Sequence, residues 1–228
     1  MNKMIFIIAL AVFVIIGLAI NYFGKKQKVD RALKVLPEKS VLNLKQGEFS
    51  KITGKIVTTN KTLTAPLSKK ECVYYLFKVE QMVKSGKNNN WNLVSKKEDV
   101  CDFLVEKDGE ITLIKPTINP KNFESYVLTT SKKEIDISKD ISEDIKEILG
   151  DKVNSKGFLG FSKNVRLTEA IIEKNNEVTV GGIANKNTVL NEPIEAYSYS
   201  KITTLDSNDK QKLIITNDTT IGSIKTNN

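Results

Sequence analysis

The 228-residue sequence predicts an α+β, β-rich protein: an N-terminal transmembrane helix followed by one compact mixed domain with hairpins and one or two short helices. Three observations carry the expectation. Residues 1–24 hold no charge except Lys3. After Gly47 the chain becomes a succession of short β-branched and aromatic runs separated by turn residues, the pattern of a β-rich domain. Between Ile137 and Gly150 the apolar period changes to that of a helix. With 40% hydrophobic and 27% charged residues the bulk is ordinary folded material, and no composition break divides it. The simplest parse is a transmembrane anchor over 1–24, a basic stalk over 25–46, one domain over 47–220 and a tail over 221–228.

The anchor is an unbroken apolar run from Met4 to Ile20, carried by Met4, Ile5, Phe6, Ile7, Ile8, Leu10, Val12, Phe13, Val14, Ile15, Ile16, Leu18 and Ile20. As a helix it reaches about 25 Å, and about 30 Å with Asn21, Tyr22 and Phe23, the thickness of a hydrocarbon core. A cleaved signal peptide would have an apolar region of about 7 to 15 residues ending in a small-x-small site. This run is longer, and it meets Lys25, Lys26, Lys28 and Arg31, an abrupt basic stop that resembles a retained anchor. Those charges outweigh Lys3 and the amino terminus. The positive-inside rule therefore places the large domain on the cytoplasmic side of a cell membrane, by a narrow margin over the extracytoplasmic side.

Beyond the anchor, Gly24 to Gln46 reads as a stalk or short helix, with Ala32, Leu33, Val35 and Leu36 clustered before Pro37. Ile52 to Thr58 is the first candidate strand. Leu63 to Leu67 reads as a strand ending at a turn, because Pro66 removes a ladder donor and holds Ala65 extended. Cys72 to Val83 is the strongest strand, with Tyr74, Tyr75, Phe77 and Val79 in one long run. Ser85 to Asn90 is a polar turn, and Trp91 to Val94 returns as its hairpin partner. A second hairpin joins Phe103-Leu104-Val105 to Ile111–Ile114 through Asp108-Gly109, which supplies the positive φ such a turn needs. In the helical stretch, Ile137, Ile141, Ile145 and Ile148 share a face, and Gly150 can close it. A second short helix is expected over Val165–Ile172. Asn175-Asn176, Val178–Val180 and Gly181-Gly182 follow, then alternating stretches at Ala196–Leu205 and Leu213–Thr216.

Several chemistries are excluded at this level. The chain has no histidine and two cysteines, Cys72 and Cys101, so neither a four-ligand Cys/His zinc site nor a Ser-His-Asp triad can be assembled from it. No phosphate-binding loop occurs. Ser207 and Lys210 have Ser-x-x-Lys spacing in a polar turn without companion motifs. The adjacent acids Glu98-Asp99 and Glu143-Asp144 point to different faces of a strand or helix, which makes them poor acid-base partners. No catalytic residue, metal or cofactor is expected. The net charge of +8 is almost all lysine, with only Arg31 and Arg166 as arginines, and nucleic-acid readers favour the guanidinium fork. No nucleic-acid partner is therefore expected. The lysines read as a solvated surface, with a juxtamembrane contribution of about 1 kcal/mol per lysine near anionic lipid. Cys72 and Cys101 read as structural thiols, Trp91 as a core or rim packing residue, and Glu80 as the solvent side of its strand.

Gly54-Lys55-Ile56-Val57, Leu63-Thr64-Ala65-Pro66-Leu67-Ser68, Cys72-Val73-Tyr74-Tyr75 and Val79-Glu80 occur in that order, followed by Trp91 and the Phe103–Ile114 hairpin. Thr168-Glu169 through Ile172, Val178-Thr179-Val180-Gly181-Gly182 and Leu213–Thr216 continue the series. Together, over roughly residues 40–220 and directly behind a membrane helix, these resemble the GIDE-type, or beside-a-membrane, domain of the MULAN-like membrane E3 ubiquitin ligases. Asn175 or Asn176 stands where that family has a turn glycine, and Asn enters the left-handed region more easily than most residues.

The resemblance implies a membrane-anchored module that recognises a protein partner, or lies against lipid, beside the bilayer. It also names E3 ubiquitin-protein transferase activity. A two-zinc RING, however, needs four Cys or His ligands for each metal, and the whole sequence supplies two such residues. Intrinsic transfer is not expected. The alternatives are a component of a ligase-like system with the RING on another chain, and an envelope-facing structural domain. In the ligases the domain lies on the side away from the cytosol, opposite to the side that the lysines favour. The bias towards Lys, Asn and Ile is that of an AT-rich genome and, with the RING ligands missing, implies a prokaryotic relative.

Overall fold

The computed structural model describes residues 24–57, 61–85, 88–116, 121–137, 139, 143–149, 161–189 and 201–222. The run from Met4 to Ile20 lies outside the described residues, among which no helix is long and apolar enough to cross a membrane. In chain order the elements are helix α1 (Lys25–Lys34), a 3₁₀ turn (Val41–Asn43), strands β1 (Phe49–Val57), β2 (Leu63–Thr64), β3 (Glu71–Cys72), β4 (Tyr74–Ser85), β5 (Asn88–Val100), β6 (Phe103–Lys107), β7 (Glu110–Lys115), β8 (Phe123–Tyr126) and β9 (Ser131–Asp136), helix α2 (Glu143–Leu149), and strands β10 (Phe161–Ile172), β11 (Glu177–Val189), β12 (Lys201–Asp206) and β13 (Leu213–Thr216). The protein is β-rich, with a small barrel and two short helices.

The barrel grows from the turn the sequence marks most clearly. Asp108 and Gly109 both take positive φ, 53° and 80°, and pair β6 with β7 in the register Lys107↔Glu110. β1 joins the other edge of β6, β12 runs parallel to β7, and β11 pairs with both β12 and β1, closing five strands into a ring. Its interior is filled by Ile52, Ile56, Val105, Ile114, Val180, Ala184 and Leu205, all fully buried. β13 pairs with the part of β11 before β12 begins, and β8 runs parallel to β13 outside it.

A second, antiparallel sheet has the order β5-β4-β10-β9. β10 corrects one expectation, since Val165–Ile172 forms a strand. Its apolar residues suit either period, but it lies between β4 and β9 with both edges bonded. Val165, Leu167, Ala170, Ile171 and Ile172 are buried. A helix there would leave β4 with an unpaired edge across its long apolar run. β5 extends well past the expected Trp91–Val94, because its charged half, Lys96–Asp99, continues the ladder with β4. β8 and the lysine-rich edge strand β9 carry no alternation that would announce them. Of the predicted helical face, Ile145 is buried in α2, while Ile137 and Ile148 pack against the same cluster as Phe77, Val79, Val165 and Leu167. Ile141 lies outside the described residues.

α1 occupies the predicted stalk or short helix. It buries Val29 and Leu33 completely, in a cluster with Leu36, Ile214 and Ile221. The helix comes this close because β11 carries Gly181 beneath it, where a Cβ would lie 2.7 Å from Leu36 Cδ1 and 3.0 Å from Leu33 Cδ2.

Candidate functional site

Three polar connections fasten α1 to the barrel side of the domain. Lys26 Nζ reaches Asp218 Oδ2 at 2.7 Å and Lys28 Nζ reaches Glu124 Oε1 at 2.9 Å. Asp30 Oδ1 accepts the Gly222 N–H at 3.0 Å. The carbonyl of Gly222 in turn accepts a hydrogen bond from Lys51 Nζ, a lysine only 2% exposed. Burial raises Asp30 and Asp218, but their hydrogen bonds, from Gly222 and Lys34 and from Lys26 and Thr220, outweigh it and lower both carboxyls overall. The basic stop after the apolar run is thus spent largely inside the protein: Lys34 pairs with Asp30, and Arg31 also has a partner. Exposed ion pairs contribute little each, so the buried Val29 and Leu33 dominate the docking, at about 1.5–3 kcal/mol apiece.

At the start of α1 the two sheets meet in a polar cluster. Glu98 on β5 accepts from Tyr74 Oη on β4 at 2.8 Å and from Ser125 Oγ on β8 at 2.7 Å, while Lys25 Nζ lies 3.5 Å away and Lys96 pairs with its other oxygen. Burial pushes the Glu98 carboxyl up, but the hydrogen bonds from Lys96, Ser125 and Tyr74 and the Lys25 charge outweigh it and hold it at about 2. Burial, then the Glu98 charge, push the Tyr74 hydroxyl far above its ordinary value. Burial also lowers Lys25, and the neighbouring Lys96 and Lys78 add to that against the pull of Glu98. Beside this cluster lies a cleft of about 180 Å³ between α1, β8, β4 and β10.

Several of the residues quoted for the family resemblance lie against one another. Gly54 on β1 lies opposite Val178 on β11. The fully buried Glu169 accepts the Leu67 and Ser68 N–H groups at 2.7 and 3.1 Å, fixing the turn after β2. Asn175 takes φ 67°, the left-handed conformation expected of that turn.

Other singled-out residues fare differently. Trp91 lies under the Arg166 guanidinium, 4.6 Å from ring centroid to Cζ, at the rim of the sheet. Glu80 is not simply turned to solvent: it accepts from Arg166 Nε at 2.8 Å across β4 and β10. Cys72 and Cys101 are free thiols, and burial pushes them up to about 12 and about 11. Ser207 is buried with its hydroxyl unpartnered, while Lys210 is exposed. Among the described residues no group of three or more Cys, Asp or Glu side chains converges as a metal site.

The Glu98 cluster escaped sequence reasoning. Its members are Lys25, Tyr74, Glu98 and Ser125, distant in the chain, and only strand pairing brings them together.

Comparisons with protein-family models, curated proteins and solved structures find no match for this chain. The class the fold defines is a β-rich domain combining a five-stranded barrel and a four-stranded sheet, with a docked helix directly behind an apolar run.

Proposed function

We propose that the chain is a membrane-anchored recruitment module: a GIDE-like domain, held against the bilayer by its N-terminal apolar run, that binds a protein partner there. The observation that carries this reading is the docking of α1. One residue, Gly24, separates the apolar segment ending at Phe23 from a helix whose Val29 and Leu33 are fully buried in the domain. A domain on a long flexible tether would sample a wide volume. This mount instead restricts the domain to a narrow layer above the membrane, where effective concentration strengthens weak contacts with a co-resident partner. The similarity of the motif order to GIDE-type domains supports the same reading.

The test compares three chains carrying a photocrosslinking residue in place of Leu93, which is 56% exposed on the outer strand β5. One is full length, one lacks residues 1–23, and one has an unrelated apolar span in their place. We expect the full-length chain to stay in membranes through alkaline carbonate, to be released by detergent, and to give a discrete protein adduct. The deletion should lose that adduct and the foreign span restore it. Release by carbonate, or the same adduct with and without the anchor, would overturn the reading.

A further inference from the structure

The cleft beside Lys25 is lined by Lys78 and Leu76 of β4, Thr168 and Ala170 of β10, and Ser125 with Thr129 at and beyond the end of β8. Its charges break a local rule. Lys78 lies directly opposite Lys96 on β5 and directly opposite Thr168 on β10, and Thr168 is opposite Lys132 on β9. Directly opposed residues of an antiparallel pair share a face with their side chains close together, and like charges so placed are destabilising. Lys25 of α1 adds a third ammonium to Lys78 and Lys96.

Glu98 is bonded to Lys96 and faces Lys25 at 3.5 Å, while Glu169, which also lines the cleft, spends its carboxylate on the Leu67 and Ser68 N–H groups. Lys132 is paired with Glu134 at 2.9 Å. Among the described residues no carboxylate pairs with Lys78, and the hydroxyls of Thr129 and Thr168 have no hydrogen-bond partner. A local conflict at Lys78 that no carboxylate among the described residues relieves is the mark of a site kept for something else.

We propose that this cleft binds a phosphate-bearing anion, with the ammonium groups of Lys25 and Lys78 supplying the charge and the hydroxyls of Thr129 and Thr168 the neutral donors. The space is small, about 180 Å³, which suits one tetrahedral group better than an extended acidic peptide. Ammonium groups hold phosphate as point charges that can each donate to several oxygens. Two sources share this chemistry: the headgroup of an anionic phospholipid and a free phosphate. The lipid source rests on the anchored reading, because Lys25 lies two residues beyond the apolar segment ending at Phe23, and basic pockets at that level bind headgroups. The cleft itself does not depend on it.

The experiment uses the full-length chain in detergent micelles, with Lys78→Gln and Thr168→Val as variants and Lys45→Gln, an exposed lysine outside the cleft, as control. Inorganic phosphate is titrated at constant ionic strength while the backbone amides of Leu76–Lys78 and Thr168–Ala170 are followed by NMR. Native mass spectrometry then measures retention of phosphatidylglycerol against phosphatidylcholine. Saturable shifts confined to the cleft, weakened at least tenfold by Lys78→Gln and unchanged by Lys45→Gln, are expected.

Selective retention of phosphatidylglycerol that phosphate displaces assigns the site to a headgroup, whereas phosphate binding without lipid preference assigns it to a soluble phosphate. Lys78→Gln should also raise the melting temperature, since it removes the opposed charge, so lost binding cannot be blamed on lost folding. Equal weakening by Lys78→Gln and Lys45→Gln, or no saturable change with either probe, would overturn the proposal. A chain that stays soluble without detergent would defeat the anchored reading while the phosphate titration still decides the cleft.

Discussion

Glu98 couples folding to protonation, because the hydrogen bonds it accepts from Tyr74 and Ser125 exist only when β4, β5 and β8 are assembled. Its carboxyl is held at about 2 in the folded chain against an ordinary 4.5. The stabilisation is therefore complete above about pH 5 and is lost as the pH falls towards 2. The full difference would be worth about 3 kcal/mol. Solvent screening at Lys25 and Lys96, which are 43% and 44% exposed, reduces it to about 1–2 kcal/mol. Urea titrations at pH 7 and pH 3 should show the native chain losing that amount, and Glu98→Gln should flatten the pH dependence; an unchanged slope would remove Glu98 from the account.

Glu169 makes a harsher case, since its carboxylate is fully buried on two backbone N–H groups. Glu169→Ala leaves both donors unsatisfied and should cost about 2–4 kcal/mol. Glu169→Gln, which keeps an acceptor, should cost less, measured by the same denaturation. For the thiols, intact-mass analysis after iodoacetamide at pH 8 should find half-buried Cys101 alkylated slowly and buried Cys72 only in denaturant.

Among the elements, α1 is the one that links the domain to the apolar run, and it carries the proposed anchored reading. Leu33→Ala removes a side chain packed beneath Leu36 and against Ile214 and should destabilise by about 2–4 kcal/mol. Hydrogen exchange should then show α1 amides losing protection while those of the barrel strand β11 keep theirs; uniform loss would mean that the helix and barrel unfold as one unit.

The elements also differ in how far they could be read from residue order. β6, β7 and their turn were legible because Asp108-Gly109 accepts the required φ locally, and β4 because its aromatic and branched run has few alternatives. β10 was not legible: Leu167, Ala170 and Ile171 fall at i, i+3 and i+4 as on a helix face, while Val165, Leu167 and Ile171 also share one face of a strand, and the choice falls to β4 and β9, whose edges it completes. β9 was silent because an exposed edge strand of Lys132, Lys133 and Glu134 has no buried face to impose alternation.

For the whole molecule, the docked helix begins two residues after Phe23 and the cleft lies beside its first residue, Lys25, so on the proposed anchored reading sidedness decides which partners it can meet. The lysines after the run favour the cytoplasm. On the proposed anchored reading they would act during insertion, before Lys26 and Lys28 are engaged by Asp218 and Glu124. Protease protection with an antibody to the carboxy terminus should find the domain digested from the cytoplasmic side in intact vesicles. Digestion from the outside with full-length mass retained would place the domain on the envelope side and end any connection to cytosolic partners.

Turn chemistry, the length of the apolar run and the absence of histidine follow from residue identity, since each depends on one residue or on neighbours a few positions apart. The pairing of β12 with β7 that closes the barrel, the conversion of Val165–Ile172 into a central strand, and the meeting of Lys25, Tyr74, Glu98 and Ser125 required the folded chain. A strand's hydrogen bonds, and a charge's neighbours, come from segments far away in sequence, and no local pattern specifies which segment will supply them.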